Sequence, residues 1–154
     1  MTNPLNQVRI RRATTADITR LVELLTHLFA QEADFEPDAE RQKCGLSLIL
    51  EQPELGHIYC AVAADRIVGM VSTLFTVSTA AGARVAWLED MVVDPDRRGS
   101  GIGELLLREA ISGARNSGCA RITLLTDETN AGAMRFYARV GFARSRMVPY
   151  RLKL

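Results

Sequence analysis

The chain has 154 residues, 47% hydrophobic and 24% charged, with 19 Lys and Arg against 18 Asp and Glu for a formal net charge of +1. That length and composition suit one domain with one core, residues 1–154, of which 1–6 read as a frayed start. The near-zero charge excludes a polybasic nucleic-acid binder, and no apolar run approaches the roughly 18 residues of a membrane span. Three widely spaced cysteines, Cys44, Cys60 and Cys119, read as buried free thiols in a reducing compartment. Two histidines, His27 and His57, are too few for a histidine-rich metal site. Met1 to Arg12 lacks the apolar centre of a secretion signal. The expectation is a cytoplasmic protein without a metal.

In chain order, Val8 to Arg12 alternates as a half-buried strand. Thr14 to Asp17 offers N-cap candidates, and Ile18, Leu21, Val22, Leu25, Leu28 and Phe29 keep helical spacing to about Ala30. An acidic loop over 31–38 leads to a second helix, Asp38 to Glu51, ended by Gln52-Pro53. Ile58 to Ala64 and Ile67 to Val77 read as a hairpin turned by Asp65-Arg66. After a turn over 79–84, Val85 to Val93 is a long strand. A central helix opens at Ile102 and stops at Asn116-Ser117-Gly118. Arg121 to Leu125 is a strand, Ala131 to Val140 a short helix closed by Gly141, and Phe142 to Leu154 a final strand or strand pair interrupted by Pro149. The order β-α-α-β-β-β-α-β-α-β predicts an α/β (mixed α+β) fold: a mixed, mainly antiparallel central sheet with helices on both faces.

The most informative run is 93–103, Val-Asp-Pro-Asp-Arg-Arg-Gly-Ser-Gly-Ile-Gly, between the long strand and the central helix. Gly99, Gly101 and Gly103 alternate there behind Arg97 and Arg98. Such a turn can bring bare backbone N–H groups against a diphosphate at the positive end of a helix dipole. It is not a Walker loop, because 103–105 reads Gly-Glu-Leu where Gly-Lys-Ser/Thr is needed. Nor is it the dinucleotide fingerprint, whose third glycine would fall on Glu104.

The stretch Arg98-Gly99-Ser100-Gly101-Ile102-Gly103 resembles the coenzyme A pyrophosphate loop of the GNAT superfamily of N-acetyltransferases. Asn130-Ala131, then Phe136-Tyr137, then Gly141-Phe142 resembles that superfamily's second motif. The resemblance runs from about Val8 to the C-terminus and implies the same element order. It also implies acetyl-CoA as donor, with its diphosphate on the backbone amides of Gly99, Ser100, Gly101, Ile102, Gly103 and Glu104 and added charge from Arg98 and Arg97. The pantetheine arm would lie beside the long strand like an added strand, bonded by backbone groups of Met91 and Val93. Asn130 would bond that arm or simply cap the short helix. Dimers are common in the family, and a paired final strand is one route to a homodimer.

Acetyl transfer to an amine needs a neutral attacking amine, a stabilised oxyanion and a proton for the leaving thiolate. The resemblance places Tyr137 as general acid; its alternative is an aromatic in the core. Glu89 and Asp90 are adjacent carboxylates on an apolar strand, where burial is costly unless they are used or paired. Alternation would point them to opposite faces. Leu88-Glu89-Asp90 is similar to the same stretch of polyamine and glucosamine-phosphate N-acetyltransferases, which implies that the pair handles the acceptor amine, directly or through water; the expected roles are Glu89 as base and Asp90 as amine contact. The alternative is a structural salt bridge. Asp127 lies at the end of the next strand, in the same cleft or in a capping turn. The acidic stretch Glu32 to Glu40 would favour a cationic acceptor if it lines the pocket. Trp87 and Phe75 are pocket-lining or core residues. Cys119 has no evident base, so direct attack in a ternary complex is expected rather than a covalent enzyme intermediate. The functional expectation is an N-acetyltransferase for a small primary amine; the rival is a non-catalytic acyl-CoA-binding module.

Overall fold

A computed structural model describes residues 7–154. Five strands, β1 (Val8–Arg12), β2 (Gly56–Ala63), β3 (Arg66–Ser78), β4 (Ala83–Val93) and β5 (Ile122–Leu124), lie in one sheet in that spatial order. The first four are antiparallel neighbours, and β5 runs parallel to β4. The helices are α1 (Ile18–Phe29), α2 (Ala39–Glu51), α3 (Ile102–Asn116) and α4 (Ala131–Val140).

Two apolar clusters show how the helices cover the sheet. Leu21, Leu24 and Leu25 of α1 and Leu46 of α2 pack with Ile58, Cys60, Met70 and Val92 on one face. Ile102, Leu106, Leu107 and Ala110 of α3 pack with Tyr59, Ala61, Val71 and Leu88 on the other, joined at the margin by Phe136 and Tyr137 of α4. The crossover β4–α3–β5 carries the chain between parallel neighbours, which a hairpin cannot do.

Local chemistry fixes the element ends. Asp17 accepts from the Thr14 amide at 2.8 Å and takes a forked contact from Arg11 at 2.8 and 2.9 Å; this closes the single turn Thr15–Asp17 that leads into α1 at Ile18. The Arg11 contact, helped by Thr14, holds the Asp17 carboxyl down to about 2. Asp38 caps α2 by accepting from the Arg41 amide. Buried Gln42 ties α2 to α1 through the Val22 carbonyl and the Thr26 hydroxyl, and its Oε1 accepts from the Asp38 amide. Those bonds set where the intervening 30–38 loop must run.

The structure corrects the sequence reading in four places. The β2–β3 turn is Ala64-Asp65, both left-handed, rather than Asp65-Arg66. β5 is three residues rather than five. No strand forms in 142–154. The short β5 gives a final strand little edge to register on, Pro149 offers no donor, and Met147, Val148, Tyr150, Leu152 and Leu154 all remain exposed. Finally, only Cys60 is buried, while Cys44 is exposed and Cys119 half-buried.

Candidate active site

β4 changes its hydrogen-bonding parity halfway along, and the site depends on that change. Up to Leu88 the strand pairs with both neighbours: Ala86 N–H donates to the Arg121 carbonyl at 3.0 Å, and the Arg84 carbonyl accepts from Ala120 N–H at 2.8 Å. Even-numbered backbone groups therefore face β5. Opposite β3 the register then slips: Thr73 pairs with Leu88 but Val71 with Met91, so Ser72 alone faces Glu89 and Asp90 together. This is a β-bulge, with one extra residue on β4. Beyond it Asp94 N–H bonds the Val68 carbonyl of β3 at 2.8 Å, so even-numbered groups now face β3. By alternation, the N–H and C=O groups of Met91 and Val93 turn to the opposite edge.

That edge is open, because the pairing with β5 ends at Leu88–Leu124. The side chains switch as well: Leu88, Met91 and Val93 belong to the α3 face, but Val92 to the α1 face. β4 and β5 thus bound a wedge, with Phe136 of α4 and Gly103 at the start of α3 beside Met91. A Cβ built on Gly103 would lie 3.5 Å from both Met91 Cε and Phe136 Cζ.

Past Val93 the chain enters the glycine loop. Asp94 is buried and takes both oxygens to Arg20 of α1 at 2.6 Å each, which anchors the loop entrance from the opposite face of the sheet. Gly99 (φ 73°) and Gly101 (φ 87°) adopt left-handed conformations, so the shape of the turn demands glycine at both. Gly101 caps α3, and its carbonyl accepts from the Glu104 and Leu105 amides. The amide of Glu104 is thereby engaged, and its side chain pairs with Arg108. Ile102 is a core side chain, 3% exposed, so only its main chain can serve a ligand. Arg97 and Arg98 are exposed. Arg98 Nε donates to the Val93 carbonyl at 3.3 Å, and Ser100 Oγ to the Arg97 carbonyl at 2.5 Å. These groups fit an anionic diphosphate followed by an extended polar arm: cations and helix-start amides at one end, and at the other a strand edge that β5 leaves unpaired, with Arg98 on the Val93 carbonyl. Asn130 is exposed and caps α4, accepting from the Ala133 amide at 3.0 Å.

Tyr137 sits between Phe136 and Phe142, with ring centroids 5.2 and 5.8 Å away. Burial, then the charge of Glu32, pushes its hydroxyl up to about 12, so it stays protonated across the neutral range. Asp90 accepts from Ser72 Oγ at 2.9 Å, and the same oxygen receives the Asp90 amide at 3.1 Å. Burial lifts the Asp90 carboxyl to about 6, with Glu89 adding repulsion and the Ser72 bond opposing. Glu89 is exposed. The bulge removes the simple alternation that the sequence predicts for this pair.

Glu32, on the α1–α2 loop, is close enough to the same carboxylates to feel their charge. It is half-buried and raised to about 7, by burial first and then by the charges of Asp90, Asp127, Glu89 and Asp34. Among the described residues no His, Cys, Asp and Glu cluster is placed to hold a metal ion. Phe75 instead packs on His57 and beneath Arg84, and Trp87 is half-buried in β4. Ser72 is the residue that sequence reasoning missed. Its signal was a serine inside the apolar run of β3, a hydroxyl that needs a partner once buried, as the structure shows it to be.

A model of the acetyltransferase (GNAT) family matches residues 18–142. The glucosamine 6-phosphate N-acetyltransferase of Trypanosoma brucei brucei is 28% identical over 146 residues, covering 88% of each chain. The aminoalkylphosphonate N-acetyltransferase of Salmonella typhimurium is 29% identical over 136 residues, covering 88% of this chain and 85% of that one. An integron cassette protein from the mobile metagenome of Cole Harbour Salt Marsh superposes with a TM-score of 0.83 at 25% identity, over 98% of this chain and 92% of that one. Among the described residues no helix is long and apolar enough to cross a membrane.

Proposed function

The chain belongs to the acetyltransferase (GNAT) family and is an enzyme; from that premise we propose that it transfers an acetyl group from acetyl-CoA to the primary amine of a small, cationic acceptor, by direct attack in a ternary complex. The observation that carries the reading is the parity switch in β4, which turns the main chain of Met91 and Val93 into the wedge next to the loop amides. Acetyl-CoA supplies the thioester. Gly99 to Gly103, Arg97 and Arg98 hold its diphosphate, with Glu104 contributing through its place in the first turn of α3. The Met91 and Val93 edge aligns the arm, and one of those N–H groups faces the thioester oxygen. Asn130 orders the start of α4 beside it.

The new bond is N–C and the broken bond is C–S. The acceptor's proton passes to a carboxylate, and Tyr137 gives its proton to the departing sulfur. Of the two β4 carboxylates, Asp90 is the better proton acceptor, because its value near 6 lies close to neutrality and Ser72 fixes its orientation. Glu89, exposed beside it, contacts the acceptor amine. This exchanges the roles that the sequence resemblance implies.

Two measurements test the reading. A hundredfold excess of acetyl-CoA over Kd should stabilise the fold by about 2.7 kcal/mol, and no shift at millimolar ligand would end the assignment. Thiol release across a panel of amines should then find an acceptor. Asp90→Asn should slow its turnover about 10²-fold or more, against a smaller loss for Glu89→Gln. The reverse ranking would restore Glu89 as base. We also propose a homodimer. Tyr150, Leu152 and Leu154 alternate with Arg151 and Lys153 and are fully exposed, which gives a second copy an apolar strip to cover. Sedimentation equilibrium showing only monomer would overturn it.

A further inference from the structure

Between α1 and α2, residues 30–37 run along the surface, and seven of these eight are exposed; the exception is Glu32, which is half-buried and feels the charges of Asp90, Asp127 and Glu89. The next residues along are tied to the far end of the chain. Arg151 Nη1 donates to Asp34 Oδ2 at 2.9 Å, and its guanidinium lies 5.4 Å from the centre of the Phe35 ring. Phe35 in turn packs on Phe29, the last residue of α1, at 5.5 Å. Among the described residues this is the one side-chain hydrogen bond that links 143–154 to the rest of the chain. An exposed ion pair is weak by itself. Here one planar group makes the ion pair and the ring contact together, and the ring is braced against a helix, so three contacts share one ordering cost.

The carboxylates whose charge Glu32 feels define what this brace serves. Among the described residues none of Glu32, Glu89, Asp90 and Asp127 has a cationic partner in an ion pair. The attacking amine cannot supply one at the moment of reaction, since it must be neutral to attack. A second ammonium elsewhere on the acceptor can. A phosphate or phosphonate on the acceptor would meet like charge at the same place.

We propose that Arg151 is a positioning residue for the acceptor, bracing the 30–37 loop so that Glu32 receives a second cationic group, and that the preferred acceptors are therefore diamines rather than monoamines or amino-phosphonates. The proposal rests on the acetyl-transfer reading above. Its test uses the full chain with 1,4-diaminobutane, butylamine and 2-aminoethylphosphonate as acceptors. The parent enzyme should favour the diamine. Arg151→Ala should raise KM for the diamine about tenfold or more while KM for acetyl-CoA stays within about twofold; Arg151→Lys should recover part of the loss. Glu32→Gln should erase the preference for the diamine over butylamine. Amide exchange over 31–38 in the ligand-free protein should quicken in Arg151→Ala, a readout that needs no turnover. Unchanged exchange, unchanged diamine KM, or a parent that uses butylamine or the phosphonate as well as the diamine would each overturn the proposal. A chain that acetyl-CoA does not stabilise would instead refute acetyl transfer itself, and the exchange result would still decide whether Arg151 braces the loop.

Discussion

On the proposed donor side of the cleft the available groups are main-chain N–H and C=O groups, while on the proposed acceptor side they are carboxylates carried by a bulge and by loops. The donor side is held by the sheet ladder, by Asp94 locked to Arg20, and by two glycines whose left-handed backbone leaves the loop one shape. The proposed acceptor side has instead the Ser72–Asp90 contact and a surface loop held by Arg151. Backbone recognition suits a donor that is the same across the family. Side chains on loops can change from member to member without disturbing the sheet.

The largest effect should come where the two sides meet. Tyr137→Phe should reduce turnover by roughly 10²–10⁴ while acetyl-CoA still stabilises the protein, as single-turnover rates would show. A loss of acetyl-CoA binding instead would move Tyr137 from the chemistry to the wall of the wedge. A smaller effect is expected from the donor side alone. Gly101→Val forces a β-branched residue into φ 87° and should weaken acetyl-CoA about tenfold, with the acceptor KM little changed. Equal losses for both substrates would mean that the two sides are not separable.

The smallest effect concerns stability. Glu32 and Asp90 sit near 7 and 6 in the folded protein but titrate near 4 when unfolded, so between those values the folded state binds more protons. Their contribution to stability therefore falls as pH rises from about 4 to about 7. Asp17 acts the other way: its value near 2 adds stability above about 4 that is lost as pH falls toward 2. Glu32→Gln should flatten the decline between pH 5 and 8 in denaturant titrations by about 1 kcal/mol or less, since Glu32 is half-exposed. An unaltered slope would show that Glu32 does not feel the other carboxylates.

The backbone of the proposed donor side was legible in the sequence because its signals are local. Gly99 and Gly101 stand out wherever a strand runs into a helix, and Asp17, Asp38 and Gly141 mark helix ends by chemistry that neighbours in sequence complete. The loop glycines speak less directly for a ligand than they first suggest, since backbone conformation alone accounts for two of them. The acceptor side was not legible. The β4 bulge arises from register against Ser72, which is distant in sequence, so Glu89 and Asp90 read as simple alternation. The pairing of Asp34 with Arg151 spans 117 positions and leaves no periodic trace. The final strand failed for a related reason. Alternating residues over 150–154 look like a strand, but strand formation needs an edge, and β5 offers three residues.

The bulge turns the N–H groups of Met91 and Val93 into the wedge, where they are proposed to bond acetyl-CoA. Residue-resolved amide exchange with and without acetyl-CoA tests it most directly. Both amides should exchange readily in the free protein and slow together with those of 99–103 on binding, while Val92 and Asp94, bonded to β3, stay protected throughout. Protection of Met91 and Val93 in the free protein that acetyl-CoA leaves unchanged would mean that this edge does not receive the donor.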